Sequence, residues 1–430
     1  MHYFSTNRHA SSVSFRDAVL NGQPTDRGLY FPQKVPRVSE DFLTSLKDKP
    51  NAEIAFEVIR PFVSESIPDE VLQSICEETV YFPFPLAKIS DEISTLELFH
   101  GPTLAFKDVG ARFMSRCLQY FSQAEATKTV VIVATSGDTG GAVAAGFHRV
   151  EGIEVIILYP KGKVSKVQEL QLTTLGGNIT ALEMRGNFDE CQALAKLAIA
   201  DVDLNAKARI TSANSINVAR WLPQQFYYFF ALKQWQGKPP VISVPSGNFG
   251  NLAAGLLANH AGLPIKRFIA ACNANDVVPR FFMNGEYKPK PSVATLSNAM
   301  DVGDPSNFVR VLEIFDQNVG WLKENVEAAS VSDETTKATI REVYAQFEYI
   351  LDPHSAVAYR ALADYLKTDP GQKGIFLETA HPIKFDSVAK ILGTRPKAPK
   401  SVEALFSKEK MSVEIEANYA DLKEILISKI

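Results

Sequence analysis

The stretch HGPTLAFKD places one lysine, Lys107, directly after a short apolar turn. A surface lysine usually has polar neighbours, whereas Leu104, Ala105 and Phe106 precede this one. Its amine is therefore expected to be partly desolvated, with a lowered pKa. A neutral amine is a nucleophile that can form a Schiff base. The alternatives are a lysine whose stem packs on the turn while its amine reaches water, or one that pairs with Asp108.

A phosphate-binding turn is predicted in VISVPSGNFGNLAAG, residues 241–255. A strand of the buried type ends there in a glycine-rich turn that opens a helix, where free amides and the helix dipole favour a phosphate. A dinucleotide site would need an acidic residue after the next strand, but RFIAACN ends in Asn273. A P-loop is excluded because no Lys-Ser or Lys-Thr pair follows the glycines. A mononucleotide or a phosphorylated cofactor fits better, and a tight turn without a ligand is the alternative.

A second turn of the same construction, SGDTGG at residues 136–141, follows the run VVIVAT. Its small hydroxyl residues and amides could hold a carboxylate or a phosphate, or could simply cap the helix. Two such turns on neighbouring strands indicate a ligand, or ligands, with two anionic ends. Together with a desolvated lysine they are the parts needed to hold pyridoxal phosphate and an amino acid, where the cofactor supplies the electron sink and the protein supplies orientation.

The elements that would position these turns follow an α/β rhythm from Thr129 to about Asn275. Short β-branched runs alternate with helical patterns, and strands bridged by helices must return in the same direction. We therefore expect an α/β chain with a mainly parallel sheet. Residues 276–320 break the rhythm and are predicted to form a loop-rich insertion, before two helices, the strand GIFLETA and a final helix near 419–428.

The N-terminal part has a different pattern, because apolar residues repeat at spacings of three and four in EDFLTSLK, AEIAFEVIRPFV and DEVLQSICEETV. A chain of 430 residues is long enough for more than one core. Three units are expected: a mostly helical unit at residues 1–95, a smaller α/β subdomain at 96–215 that carries Lys107 and the SGDTG loop, and a larger α/β subdomain at 216–430 with the insertion and the C-terminal helices.

Composition excludes several classes of function. A net charge of -4 provides no basic field for nucleic acid. No apolar run approaches the length of a membrane span and the N-terminus lacks a secretory signal, so we expect a cytoplasmic protein without a membrane partner. The scattered cysteines are expected to be reduced and mostly buried, and no histidine spacing predicts a metal site on one helix.

Several motifs, in their order and spacing, resemble the threonine synthases of the bacterial and fungal kind: HGPTLAFKD, ATSGDTG, SANSIN with Arg220, VPSGNFG, LSNAMDVG and TAHP. The resemblance runs from the start of the chain, where DRGLYFP also matches, to about Gly393. These enzymes use pyridoxal phosphate on the fold shared with tryptophan synthase β chains. The resemblance therefore implies two open, twisted, mainly parallel α/β domains behind the helical unit.

The resemblance also implies roles for individual residues around the cofactor. Lys107 would bind the cofactor covalently. Thr379 would place a hydroxyl rather than a carboxylate beside the pyridine nitrogen, which should then stay largely unprotonated; from the residue alone, an ordinary strand-end threonine is the alternative. The cofactor phosphate would lie on five residues, of which the last is Asp in some relatives: Gly247, Asn248, Phe249, Gly250 and Asn251.

The implied reaction is the last step of threonine biosynthesis, in which O-phospho-L-homoserine and water give L-threonine and inorganic phosphate. Phosphate leaves the γ carbon and water adds at the β carbon. The substrate carboxylate would be received by Ser136, Gly137, Asp138 and Thr139. Three cations are candidates for the substrate phosphate, with surface charge or a structural ion pair as the alternative: Lys161, Lys163 and Arg220.

Two other functions remain open at this point. A β-eliminating serine or threonine dehydratase shares the lysine and the phosphate turn but binds no γ-phosphate, so the cationic candidates would be idle. A non-catalytic relative could keep the same site to bind phosphorylated metabolites. The family also suggests a monomer whose partner is a small-molecule substrate.

Overall fold

The computed structural model describes residues 1–123 and 127–430. The described strands, in chain order, are β1 His2–Ser5, β2 Val13–Ser14, β3 Tyr30–Pro32, β4 Leu86–Lys88, β5 Ile93–Glu97, β6 Thr129–Ala134, β7 Ile153–Pro160, β8 Ile179–Arg185, β9 Arg209–Ser212, β10 Val241–Pro245, β11 Arg267–Cys272, β12 Val326–Ser330, β13 Gly374–Glu378 and β14 Val413–Glu416.

The described α-helices, in chain order, are α1 Phe15–Asn21, α2 Glu40–Ser45, α3 Asn51–Val63, α4 Asp69–Thr79, α5 Lys107–Ser122, α6 Asp138–Phe147, α7 Lys166–Thr173, α8 Phe188–Ala200, α9 Val202–Asn205, α10 Val218–Trp221, α11 Phe226–Gln234, α12 Gly250–His260, α13 Val277–Asn284, α14 Phe308–Ile314, α15 Val319–Asn325, α16 Asp333–Phe347, α17 Pro353–Leu366, α18 Asp386–Leu392, α19 Lys400–Glu403 and α20 Tyr419–Lys429. None of these helices combines the length and apolar character that a membrane crossing needs.

The N-terminal part contains the helices α2, α3 and α4 that the apolar spacing predicts. The apolar stripe of α3 is buried against α4 and α11, as expected for an amphipathic helix. The strands β1, β2 and β3 add a small antiparallel sheet in the order β2-β1-β3. Its strands are two to four residues long, too short for the alternation of apolar and polar residues to be recognised in the sequence.

A six-stranded sheet in the order β12-β11-β10-β13-β5-β4 carries the predicted strands VISVP, RFIAAC and GIFLE. All its pairs are parallel except β4 with β5. The central strand β13 is completely buried, which agrees with a sheet covered on both faces by helices.

A five-stranded parallel sheet has the order β14-β8-β7-β6-β9. Strands β6 to β9 are consecutive in the chain, whereas β14 comes from the C-terminal end. The two sheets, one parallel throughout and one parallel except for β4, confirm the predicted α/β fold. The proposed division near residues 95 and 215 stays a prediction, and each sheet combines strands that are distant in the sequence.

The segment 276–320 is less irregular than the sequence predicts. Residues 286–297 are loop, but α13 begins at Val277 and α14 at Phe308. Pro279 lies in the first turn of α13, where a helix tolerates proline because that turn's N–H groups have no intrahelical partner. The buried face of α13 includes Val278 and Phe281, so tertiary packing stabilises a helix that the local proline content argues against.

The candidate site lies where the carboxyl ends of both sheets meet, the usual ligand position of open parallel sheets. Helix α5 follows β5 of the larger sheet and packs on α6 of the smaller one. Their contact is close, since a Cβ on Gly146 would lie 3.0 Å from the carbonyl carbon of Ala111. This packing brings Lys107, at the start of α5, towards the loop that precedes α6.

Candidate active site

Lys107 is fixed against the end of β13 by backbone contacts of the residues before it. The N–H of Phe106 donates to the carbonyl of Thr379 at 2.9 Å. The hydroxyl of Tyr227 donates to the carbonyl of Phe106, and Ala105 forms a β-bridge with Ala380. The lysine predicted to carry the cofactor and the threonine predicted to face its ring are therefore brought together.

The amine of Lys107 lies among charged groups without pairing to any of them. Burial lowers its pKa to about 8; Asp138 opposes this shift, and the nearby cations Arg220 and Lys384 add to it. No ion pair or hydrogen bond of Nζ is formed within residues 1–123 and 127–430. The lowered pKa predicted from the apolar turn is confirmed, and a substantial fraction of the amine is neutral near physiological pH.

Asp108 is not the partner of Lys107. Its carboxylate accepts hydrogen bonds from the N–H and the hydroxyl of Thr103, at 2.9 and 2.5 Å. The turn is tight, because a Cβ on Gly101 would lie 2.4 Å from Asp108 Oδ2. Asp108 thus shapes the turn that presents Lys107, and the expected alternative of a Lys107–Asp108 pair is absent from the described structure.

The turn at residues 246–251 has the geometry of an anion-binding turn, and we call it the phosphate cup after the ligand that the sequence predicts there. Phe249 adopts the left-handed region, with φ of 62°, directly before α12 begins. The N–H groups of residues 247–251 have no acceptor within the described parts of the chain. A Cβ on Gly247 would lie 2.5 Å from the Cα of Met300, so only glycine allows the segment around Met300 to close on this cup.

Side chains around the cup are held by a polar network. The amide of Asn248 donates to Ser215 Oγ at 3.0 Å, while its carbonyl accepts from the N–H of Ser306. The hydroxyl of Tyr228 donates to Asn251, whose own amide nitrogen is buried without a partner in the described structure. The side chains of Asn248 and Asn251 therefore brace the cup, and donors remain for an anion.

The SGDTG loop, residues 136–140, is a second turn with free backbone N–H groups, and we call it the second cup. Thr135 Oγ1 accepts hydrogen bonds from the N–H groups of Gly137 and Gly140, both at 2.9 Å. The N–H groups of Ser136, Asp138 and Thr139 have no acceptor among the residues that the structure describes. These three amides, at the start of α6, are available to a carboxylate.

The carboxylate of Asp138 is already occupied, which the sequence does not reveal. Asp138 Oδ1 lies 2.6 Å from Lys384 Nζ and accepts from Gln168 Nε2 at 2.9 Å. Burial alone would raise the pKa of Asp138, but Lys384 and Lys107 outweigh it and hold the pKa well below its usual range. The sequence patterns do not mark Lys384, in HPIKF, as a site residue; its signal is a lone lysine among apolar residues.

The three cationic candidates lie in different environments. Arg220 is buried, donates to the carbonyl of Ala213 at 2.6 Å and leaves Nε without a partner in the described structure. A Cβ on Gly110, one turn after Lys107 on α5, would lie 3.2 Å from this Nε. Lys161 and Lys163 are exposed, and Lys161 pairs with Glu414 at 2.6 Å. Only Arg220 is thus placed beside Lys107.

These residues fit a phosphorylated aldehyde cofactor. The cup at 247–251 offers backbone donors and no carboxylate, and Gly247 keeps it open to close approach. The amine with a lowered pKa follows directly on Phe106, whose N–H is bonded to the carbonyl of Thr379, and the hydroxyl of Thr379 forms no hydrogen bond within the described residues. A phosphate at the cup and a covalent bond at Lys107 are compatible with this donor set.

Comparison with known proteins agrees with this geometry. A family profile described as "Pyridoxal-phosphate dependent enzyme" matches residues 87–376. Profiles described as "Threonine synthase N terminus" and "Threonine synthase, C-terminal" match residues 2–80 and 355–426.

Whole-chain relatives carry the same description. The chain is 46% identical over 431 residues to threonine synthase of Serratia marcescens, with 99% of each chain covered. The crystal structure of threonine synthase from Escherichia coli has a TM-score of 0.92 at 43% identity and covers 100% of both chains. The pyridoxal-phosphate-bound threonine synthase of Brucella melitensis has a TM-score of 0.93 at 32% identity, covering 100% of this chain and 99% of that one. The chain therefore belongs to the threonine synthase family of pyridoxal-phosphate-dependent enzymes.

Proposed function

We infer that the chain is a pyridoxal-phosphate-dependent lyase that converts O-phospho-L-homoserine and water into L-threonine and inorganic phosphate. Its family membership supplies the reaction, and one observation supports it in this chain. Lys107, with its lowered pKa, lies near Asp138 of the SGDTG loop and beside the incompletely bonded Arg220. The residue before it bonds to Thr379 after β13, which pairs with β10, the strand that leads into the cup at 247–251, and both cups keep unused backbone N–H groups. These parts match a cofactor phosphate, a substrate carboxylate and a substrate phosphate.

Lys107 is the proposed catalytic residue. When bound, pyridoxal phosphate supplies the electron sink that stabilises negative charge at the substrate α carbon. The amine of Lys107, with a pKa of about 8, can accept a proton from that carbon and then one from the β carbon as phosphate leaves the γ carbon. One proton is returned to the γ carbon, which becomes the methyl group, and one to the α carbon, while water supplies the β hydroxyl and gives its other proton to the phosphate. We propose that the side chain of Thr379 faces the pyridine nitrogen, so that a hydroxyl rather than a carboxylate is offered to it.

We propose that the two cups bind different anions, one the cofactor phosphate and the other the substrate carboxylate. The turn of Gly247, Asn248, Phe249, Gly250 and Asn251 holds the cofactor phosphate, with backbone N–H groups as donors. The loop of Ser136, Gly137, Asp138 and Thr139 receives the substrate carboxylate through its free amides rather than through the side chain of Asp138, which is paired with Lys384.

Arg220 is our first candidate for the substrate phosphate. Burial lowers its pKa to about 10, so the guanidinium remains charged at neutral pH, and its Nε has no partner in the described residues. A guanidinium can bind phosphate through two parallel hydrogen bonds. Lys161 and Lys163 remain candidates, with weaker support because both are exposed and one is paired.

The test is to measure phosphate and threonine together from O-phospho-L-homoserine, using the protein loaded with pyridoxal phosphate. Equal amounts of both products, lost in Lys107→Ala, are expected. An Arg220→Lys variant should raise KM more than it lowers kcat, because it keeps the charge but loses the planar fork. Phosphate release without threonine would instead indicate an eliminating enzyme and would contradict the proposal.

We also propose that the protein acts as a cytoplasmic monomer, as the family suggests. Light scattering of the purified protein during size-exclusion chromatography should give a mass near 47.4 kDa. A dimer mass would contradict the monomer.

A further inference from the structure

Arg310, in helix α14, is a completely buried cation that lies behind the phosphate cup. All its N–H donors are used, and every acceptor is neutral. It donates to the carbonyls of Tyr30, Ser215 and Ile216 and to Oδ1 of Asn307, and its guanidinium lies 4.3 Å from the centre of the Trp221 ring.

No carboxylate pairs with Arg310 in residues 1–123 and 127–430. The carboxylate of Glu313, one turn further along α14, instead pairs with Arg8. Burial lowers the pKa of Arg310 to about 9, yet the group remains charged at neutral pH. Buried charges in proteins are normally compensated by an opposite charge, so this position lacks a negative partner within the described protein.

A short chain of hydrogen bonds connects Arg310 with the cup. Its Nη1 donates to Asn307 Oδ1 at 2.7 Å, and Asn307 Nδ2 donates to Ser215 Oγ at 3.1 Å. The amide of Asn307 also borders the cup, since a Cβ on Gly250 would lie 3.5 Å from its Nδ2. The positive charge is therefore separated from the free amides of the cup by one asparagine side chain.

Ser215 links the side chains of Asn307 and Asn248 and has a hydroxyl proton still to donate. Its Oγ accepts hydrogen bonds from both Asn307 and Asn248, at 3.1 and 3.0 Å, which fills its two lone pairs. The hydroxyl proton must then be donated, and no acceptor for it exists among the described residues. A serine arranged in this way presents a donor towards the cup, and an anion is its natural acceptor.

We propose that Arg310 is the buried counter-charge of a phosphate monoester held at the cup, acting as a positioning residue through Asn307 and Ser215. It does not touch the phosphate. Its charge compensates the anion through low-dielectric protein, and its hydrogen bonds keep the amide of Asn307 directed at Ser215. This inference rests on the proposed placement of a phosphate at residues 247–251.

The experiment compares ligands with and without a phosphate group. Equilibrium binding of pyridoxal phosphate and of pyridoxal is measured on the cofactor-free full chain, for the unmodified protein, Arg310→Met and Asn307→Asp. Both variants should weaken pyridoxal phosphate binding by about tenfold or more and pyridoxal binding by less than about threefold. Asn307→Asp is nearly isosteric and gives Arg310 an internal carboxylate, so it tests the charge even if Arg310→Met does not fold.

A second arm identifies the source of the phosphate. KM for O-phospho-L-homoserine is measured at saturating cofactor; an increase of about tenfold with an unchanged preference for pyridoxal phosphate would assign the compensation to the substrate phosphate. Lys233→Met is the matched control, because within the described residues Lys233 also donates to neutral acceptors alone, Lys49 O and Asn51 Oδ1, which lie just before and at the start of α3 and not in the cup. It should leave the preference and KM unchanged.

Equal weakening of pyridoxal and pyridoxal phosphate, with KM unchanged, would mean that Arg310 only supports the fold and would overturn the inference. A different failure would affect the proposed site itself. If the unmodified protein bound pyridoxal as tightly as pyridoxal phosphate, the placement of a phosphate at the cup would be wrong, whatever the variants did.

Discussion

Lys384 Nζ lies 2.6 Å from Asp138 Oδ1, and both side chains are almost completely buried. Lys384 follows β13 of the six-stranded sheet, and Asp138 opens the helix after β6 of the five-stranded sheet. Lys384 also donates to the carbonyl of Thr103 at 2.8 Å. One cation therefore fixes the SGDTG loop and the turn before Lys107 across the junction of the two sheets.

Lys384→Met should destabilise the protein because it leaves a buried carboxylate without its counter-charge. Breaking a buried ion pair in this way costs about 3–5 kcal/mol. The loop that presents the free amides of Ser136 and Thr139 would also shift, and a displacement of about 1 Å can reduce kcat/KM on the order of a hundredfold. Urea unfolding and steady-state kinetics measure the two effects.

The double variant Lys384→Met/Asp138→Asn separates charge from packing. Asparagine removes the uncompensated charge, so most of the lost stability should return. Activity should stay low, because the SGDTG loop still lacks its contact with Lys384. If the double variant were less stable than Lys384→Met alone, the ion pair would not be the cause of the loss.

The lowered pKa of Lys107 should be visible in its chemical reactivity. Only the neutral amine reacts, so reductive methylation of Lys107 in the cofactor-free protein should be half-maximal near pH 8, against about 10.4 for an ordinary lysine. Burial of the charged amine costs stability at all pH values below about 8. Between pH 8 and about 10.4 the unfolded chain keeps a proton that the folded chain has lost, so the stability of the folded protein rises with pH in this range. Peptide mass spectrometry after short labelling pulses gives the midpoint.

Lys410 supplies an internal comparison. Burial would lower its pKa, but hydrogen bonds to Glu169 and Glu183 outweigh burial and hold the pKa well above the usual range. Its labelling should still be low where that of Lys107 is complete. In Lys384→Met the Lys107 midpoint should move to higher pH, since a neighbouring cation is lost. A Lys107 midpoint above pH 10 in the unmodified protein would contradict the assigned environment.

Local features made much of the site predictable. The phosphate cup and the SGDTG loop each combine a buried strand, a glycine turn and a helix start within one short stretch, so their free N–H groups could be predicted from adjacent residues, while their binding of anions stays a prediction. Lys107 was recognisable for the same reason. The fold class followed from the alternation of strands and helices.

Long-range partners were not predictable from these patterns. Lys384 and Arg310 stand among apolar residues, in HPIKF and FVRVLEI, which signals burial but does not identify Asp138 or Asn307 as contacts. The pairing of β5 with β13 likewise joins strands far apart in the chain, and spacing in the sequence carries no information on that register.

Gly137→Ala should damage the SGDTG loop. Gly137 has φ of 141°, a backbone region open almost only to glycine, and a Cβ would lie 2.5 Å from the side-chain amide of Gln168. We expect a loss of about 1–3 kcal/mol from the backbone strain and a clear fall in kcat/KM because Gln168 and the loop must separate. Urea unfolding and substrate saturation curves check both.

Gly152→Ala is the matched control for this prediction. Gly152 also has a positive φ, of 75°, but a Cβ there meets nothing within 4 Å. It should cost about 1 kcal/mol of stability from backbone strain alone and leave kcat/KM unchanged. An equal loss of activity in both variants would show that strain, rather than the contact with Gln168, disturbs the loop.

Glu378→Gln should remove a loss of folded-state stability that grows with pH and arises next to the site. Glu378 on β13 lies opposite Glu97 on β5, and the hydroxyl of Tyr349 lies within hydrogen-bonding distance of both carboxyl groups. Burial, with the nearby charges of Asp352 and Glu97, raises the pKa of Glu378 well above its usual range. Above an unfolded pKa of about 4.3 the folded chain then binds the extra proton, so stability falls as pH rises.

Glu378→Gln carries no ionisable group at this position and therefore lacks this fall in stability. Its stability relative to the unmodified protein should increase from pH 5 to pH 8 in urea unfolding. Tyr349→Phe should act in the opposite direction, because the hydroxyl bond lowers the pKa of Glu378 and its loss would raise that pKa further. The stability of Tyr349→Phe should therefore decline more steeply with pH than that of the unmodified protein. Parallel pH dependences for all three proteins would contradict the raised pKa of Glu378.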